Sequence, residues 1–141
     1  MTCVIIDDDA ISRKAVKQCV DRTETLQLIG AFGSVKEALK LLNKQSVDLI
    51  FLDMEMPELS GMEFIRTFNF KGQIIIISGK KDYAAESYDY NVTDYIVKPL
   101  EYARFLKGVM KAEKMNANLS VDDTGGEELF IKKDNRLIKL L

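Results

Sequence analysis

Three aspartates in a row, Asp7, Asp8 and Asp9, follow the apolar run CVII, and Asp53 follows the apolar run LIFL. Two further runs end on polar groups in the same way: IIII leads to Ser78 and YIV leads to Lys98. Carboxylates, a hydroxyl and an ammonium thus stand at four equivalent places in the chain. Two carboxylates about 4 Å apart near a protein surface repel by roughly 4 kcal/mol, a large share of the about 5 to 15 kcal/mol that holds a domain together. If the four places converge, the site demands a cation. Oxygen ligands with open positions suit magnesium, with manganese as a substitute, bridging carboxylates to phosphate oxygens. With Lys98 as a second positive group and Ser78 as a donor, the chemistry indicated is phosphoryl transfer to a carboxylate. Cation and ammonium neutralise the equatorial oxygens while Asp53 attacks in line.

The elements that would bring these groups together can be read from the spacing of apolar residues. None of the four runs alternates, so each reads as a strand covered on both faces, the mark of a parallel α/β sheet. LQLIGAF at 26 to 32 does alternate, which suits an edge strand. Helical stripes lie between the strands: Ile11, Ala15, Val16, Cys19 and Val20; then Val35, Ala38, Leu39 and Leu42; and last Tyr102, Phe105, Leu106, Val109 and Met110. Ser34 with Glu37, and Ser60 with Glu63, have capping-box spacing and mark two helix starts. Tyr83, Tyr88 and Tyr90, with Ala84 and Ala85, mark a partly exposed fourth helix. The pattern is strand then helix five times over, a doubly wound five-stranded parallel sheet that ends near Met115. In such sheets the reactive crevice lies beyond the carboxyl ends of the strands, where the four polar places fall.

Composition limits the alternatives. The chain has 141 residues, 20 basic and 22 acidic, for a net charge of −2, so it lacks the positive field of a self-sufficient nucleic-acid binder. It contains no histidine, which removes zinc sites of the Cys/His type and triads built on imidazole. Cys3 and Cys19 read as buried free thiols, which favours a reducing compartment. No segment has the length or flanks of a signal peptide or membrane span, so the expectation is a cytoplasmic protein without membrane contact.

A change of composition follows the last helical stripe. Residues 116 to 128 hold four acidic and no basic side chains, with Gly125 and Gly126 as breakers, and read as a flexible acidic linker. Residues 129 to 141 carry Lys132, Lys133, Arg136 and Lys139 and read as a hairpin turning at Asp134 and Asn135. A lone hairpin is marginal in water. The tail is therefore expected to open a second domain.

IIDDDA, DLIFLDMEMPELSGMEF, IIIISGK and DYIVKPLE, in this order, resemble the four signatures of the receiver domain of two-component response regulators, over residues 2 to about 115. The resemblance implies a flavodoxin-like strand order 2-1-3-4-5. It implies that Asp53 accepts the phosphoryl group, that Asp8, Asp53 and the backbone carbonyl of Glu55 ligate Mg²⁺, and that Asp7 acts through a metal-bound water. Lys98 and Ser78 would contact the phosphate, with a cis peptide between Lys98 and Pro99, and Ser78 with Tyr95 would form the switch pair. The donor would be a histidine of a sensor kinase. Phosphorylation would reshape the face near Asp82 to Tyr102, which would dimerise. FIKKDNRLIKL is similar to the opening of a LytTR-type DNA-binding domain, so any contact with DNA would run through a domain beyond this chain.

Gly79 stands where many receivers have alanine, which leaves the site more open. Glu55 and Lys80 occupy the two positions flanking the phosphate, where they could pair across it, obstruct the attacking water and slow self-dephosphorylation. Two other readings compete with a switch. One is a magnesium phosphohydrolase passing through an aspartyl phosphate, with Glu55, two residues after the nucleophile, as acid and base. The other is a binding module that is never phosphorylated, against which the complete acidic and lysine set argues. Structural readings compete as well: Asp9 as a helix cap, and Tyr95 as a core residue with its hydroxyl in water.

Overall fold

A computed structural model of the chain describes the backbone of residues 1–124 and the side chains to residue 118. The five strands are β1 (Thr2–Ile6), β2 (Gln27–Phe32), β3 (Leu49–Leu52), β4 (Gln73–Ser78) and β5 (Asp94–Val97). They form one parallel sheet in the order β2-β1-β3-β4-β5. The helices α1 (Ala10–Asp21), α2 (Val35–Leu42), α3 (Gly61–Thr67), α4 (Ala84–Tyr88) and α5 (Tyr102–Thr124) connect or follow the strands. Among the described residues, no helix is long and apolar enough to cross a membrane.

Alternation along the strands divides the interior into two cores. Val4, Ile6, Ile50, Leu52, Ile74 and Ile76 point toward α2, α3 and the start of α4. Cys3, Ile5, Leu49, Phe51, Ile75 and Ile77 point toward α1 and α5, where Phe51 stacks on Phe105 with ring centroids 5.0 Å apart. Both faces are covered, which is why the runs read as unbroken apolar sequence. The two cysteines are free and buried, and burial pushes the Cys3 thiol up to about 12.

Ser60 closes a complete capping box with Glu63. Ser34 caps the amide of Glu37, whereas Glu37 reaches the amide of Gly33, one residue before the cap. Two residues of the apolar stripes turn outward. Ile11 is 80% exposed, because the first turn of α1 projects beyond the rim of the sheet, and Met110 lies on the flank of a stripe that runs through Phe105, Val109 and Ala112. α4 has five residues and no side-chain cap; an ion pair from Arg66 of α3 to Glu86 ties it down. α5 continues to Thr124, so residues 116 to 124 of the segment read as a linker are helical. NANLSVDDT contains neither glycine nor proline, and the breakers come only at Gly125 and Gly126. The rest of that segment and the hairpin reading of 129 to 141 lie outside the described residues.

Candidate functional site

The sheet register builds the site. Ile6 pairs with Leu52, so the residues that follow them, Asp7 and Asp53, leave the sheet side by side. The Asp53 amide donates to the Ile6 carbonyl at 2.9 Å, and the Asp7 amide donates to the Phe32 carbonyl at 3.0 Å. Asp8 joins them from the rim: Asp7, Asp8 and Asp53 each offer a carboxylate oxygen within 4.8 Å of the others. Asp7 is 2% and Asp53 7% exposed. Burial, and next the charge of Asp7, raise the Asp53 carboxyl to about 6, against the opposing pull of Lys98 and the Glu55 amide. An anion held this far from its ordinary range marks a site short of positive charge.

Lys98 supplies part of that charge. Its amide donates to the Ser78 carbonyl at 2.8 Å, and the Lys98–Pro99 peptide is cis. Its Nζ stands 3.2 Å from Asp7 Oδ2, 3.1 Å from Ser12 Oγ and 3.9 Å from Asp53 Oδ1. One ammonium faces three carboxylates. A crowded set of hard oxygen donors, with one member open to solvent, fits a divalent cation that keeps some of its waters. Asp7, Asp8 and Asp53 together form a cluster that could hold such an ion.

Asp9, the third aspartate of the run, takes a different part. It is the N-cap of α1, accepting from the Ser12 amide at 3.3 Å and from Ser12 Oγ at 2.9 Å. Its own amide donates to Asp7 Oδ1 at 3.0 Å and so orients that carboxylate. The Ser12 hydroxyl, chiefly, holds the Asp9 carboxyl below its ordinary range.

Ser78 is buried at the end of β4, and its Oγ accepts from the Lys80 amide at 3.2 Å; among the described residues it makes no hydrogen bond to the carboxylates. The Tyr95 ring is 6% exposed and its hydroxyl donates to the Lys80 carbonyl. Lys80 also pairs through its Nζ with Glu55 at 3.0 Å, both side chains half-exposed. One loop residue therefore touches Ser78, Tyr95 and Glu55. Among the described residues, a Cβ at Gly79 would meet nothing within 4 Å. Glu55, Met54, Met56, Met62 and Tyr83 line an open cavity of about 550 Å³ whose lining includes none of the three aspartates.

Several contributors escape a reading of residue types. Ser12 contacts Lys98, Arg13 Nη1 donates to the Asp7 carbonyl at 2.7 Å, and Gly61 packs against the backbone of Asp53. Only Ser12 left a signal, its position three residues after the cap Asp9.

The family model for the response regulator receiver domain matches residues 3–110. An uncharacterized response regulatory protein of Shewanella oneidensis is 28% identical over 116 residues, which span 81% of this chain and 49% of that protein. The transcriptional regulatory protein NatR of Bacillus subtilis is 26% identical over 140 residues, 92% of this chain and 60% of its own. The crystal structure of the response regulatory domain of MrkE from Klebsiella pneumoniae superposes with a TM-score of 0.77 at 26% identity, covering 84% of this chain and 99% of that one. The chain spans about half the length of the first curated relatives it matches.

Proposed function

We propose, from the premise that this chain belongs to the response regulator receiver domain family, that Asp53 accepts a phosphoryl group and thereby switches the face between Asp82 and Tyr102. The observation that carries this reading is the convergence of Asp7, Asp8 and Asp53 within 4.8 Å, with the Lys98 ammonium 3.9 Å from Asp53.

A carboxylate oxygen of Asp53 attacks the phosphorus in line. The bond from phosphorus to the donor's histidine nitrogen breaks, and its electron pair stays on that nitrogen. Asp8, Asp53 and the Glu55 carbonyl, with Asp7 through a water, would hold Mg²⁺ or Mn²⁺, which supplies neutralising charge to the phosphoryl oxygens. Lys98 offers its ammonium to one oxygen and Ser78 its hydroxyl to another.

The switch then runs through Lys80. If the Ser78 hydroxyl turns to the phosphoryl group, the Lys80 amide loses its acceptor, and the Lys80 carbonyl holds the buried Tyr95 hydroxyl. The loop from Gly79 to Tyr83 and the uncapped α4, which the Arg66–Glu86 pair holds to α3, would follow. Reversing a 1:99 equilibrium takes about 5.5 kcal/mol, within reach of a few charge-assisted bonds. The reshaped face would dimerise and bring paired output modules together. The relative named a transcriptional regulatory protein aligns across 92% of this chain, and FIKKDNRLIKL is similar to the start of a LytTR-type domain. We therefore assign DNA binding to a LytTR-type domain whose opening residues 129 to 141 would form, and place the protein in the cytoplasm with a sensor histidine kinase as donor.

The stoichiometry of phosphate release from acetyl phosphate with Mg²⁺ tests the reading. A switch takes up one equivalent and then releases phosphate slowly; continuous rapid release from acetyl phosphate and from small phosphomonoesters would instead show a phosphohydrolase.

A further inference from the structure

Lys98 lies nearer to its two other partners than to Asp53. Its Nζ is 3.1 Å from Ser12 Oγ and 3.2 Å from Asp7 Oδ2, but 3.9 Å from Asp53 Oδ1, beyond hydrogen-bond range. The Ser12 hydroxyl has one proton, and the geometry directs it to Asp9 Oδ2 at 2.9 Å. Its oxygen is therefore free to accept from the ammonium. The result is a chain in which Lys98 donates to Ser12 and Ser12 donates to Asp9, an anion held in place as the cap of α1. A hydroxyl that donates to a carboxylate is a better acceptor, so each bond strengthens the other.

We propose that Ser12 is a positioning residue that parks the Lys98 ammonium away from the phosphoryl-accepting oxygen of Asp53, so that phosphorylation must draw Lys98 off Ser12. The inference rests on the proposed function and adds a regulatory element to it: the Asp9–Ser12 pair competes with phosphate for the lysine and sets how readily the phosphorylated state forms. Ser12 lies in the first turn of α1, and the cap survives loss of its side chain, because Asp9 still accepts from the Ser12 amide at 3.3 Å. The side chain can therefore be removed with the helix start intact.

The test is the affinity for beryllofluoride with Mg²⁺, a tetrahedral mimic of the phosphoryl group, in wild type, Ser12→Ala, Ser12→Thr and Lys98→Ala, and in the double variant Ser12→Ala/Lys98→Ala. Releasing one part-buried hydrogen bond should tighten binding by about 3- to 10-fold in Ser12→Ala, the range of an ordinary protein hydrogen bond. Ser12→Thr, which keeps the hydroxyl, should match wild type. The Ser12→Ala gain should vanish in the Lys98→Ala background, a coupling that a merely structural role would not produce. Unchanged or weaker binding by Ser12→Ala, a gain that persists without Lys98, or Ser12→Thr behaving like Ser12→Ala would each overturn the proposal. A wild type that binds no beryllofluoride would instead contradict the proposed function. An independent reading comes from the side-chain ammonium signal of ¹⁵N-lysine protein without mimic or metal: Lys98 should be protected from exchange in wild type and lose that protection in Ser12→Ala. Equal protection in both would overturn the parking.

Discussion

A Cβ placed on Gly61 would stand 2.2 Å from the carbonyl oxygen of Asp53. Gly61 is the first residue of α3, and its amide donates to the Met54 carbonyl at 3.0 Å, so the helix begins directly against the loop that follows Asp53. Nothing flexible lies between them, and backbone must move to admit a methyl group. Gly61→Ala should cost about 1–3 kcal/mol in urea denaturation and should slow phosphorylation of Asp53 by acetyl phosphate. Full stability together with a wild-type rate would show that the close approach is unimportant.

Acid should stabilise the metal-free protein. The Asp53 carboxyl is raised from 3.8 to about 6, chiefly by burial and then by Asp7. A raised acid is destabilising as its anion, so stability climbs as pH falls from about 7 through 6 and levels off near 4, by roughly 3 kcal/mol at most. Asp94 acts in a separate window. The Arg104 side chain and the Tyr95 amide hold its carboxyl below 3.8, against burial, and the stability this provides is lost only as pH falls below that value. Melting temperatures in chelator should therefore rise from pH 7 to 5 in wild type. Asp53→Asn should melt higher at pH 7 and lose that slope. Asp8→Asn should gain less, since Asp8 is exposed and its charge is the last of the influences on Asp53.

Glu55 pairs with Lys80 at 3.0 Å, and we propose that this pair shields a phosphoryl group on Asp53 from attacking water. Glu55→Ala and Lys80→Ala should each shorten the acyl-phosphate half-life, by about fivefold or less, the ceiling for a pair this exposed. Half-lives followed by loss of label from Asp53 check this. If both variants decay at the wild-type rate, the shielding role is falsified.

Asp94 is buried at 2% exposure and gathers α5 against β5. Arg104 donates to it twice, at 2.7 and 2.9 Å, Lys111 stands 3.5 Å away, and the Tyr95 amide donates at 2.9 Å. Arg104→Ala would leave the buried carboxylate with Lys111 as its cation and with the Tyr95 amide and Tyr88 hydroxyl as donors, at a cost of about 2–3 kcal/mol. Arg104→Ala/Asp94→Asn should recover part of that loss. A double variant as unstable as the sum of the two singles would show that the pair is not coupled.

The strands and the meeting of Asp7, Asp53 and Lys98 at their ends were legible because strands buried on both faces leave unbroken apolar runs, and polar residues at their ends stand out. Ile11 misled because helical period locates a stripe but not the point at which a helix outruns its sheet; Met110 misled because a residue on the flank shares the period. The role of Lys80 toward Ser78 and Tyr95 had no sequence signal, since it works through an amide and a carbonyl that any residue would offer. Gly61 stood in plain view within LSGMEF, but its close approach to Asp53 depends on the path of the loop between them. Ser12 could be placed near the cap from its spacing, whereas its contact with Lys98, 86 positions away, exists only in three dimensions.

Asp53, gathered with Asp7, Asp8 and Lys98, is where we propose that phosphate is taken up. Intact-mass and peptide mapping after incubation with acetyl phosphate test it most directly, with and without Mg²⁺ and in wild type beside Asp53→Asn. One phosphoryl group is expected on the peptide containing Asp53, dependent on Mg²⁺ and absent from Asp53→Asn. A phosphoryl group on another residue, or equal uptake by Asp53→Asn, would contradict it.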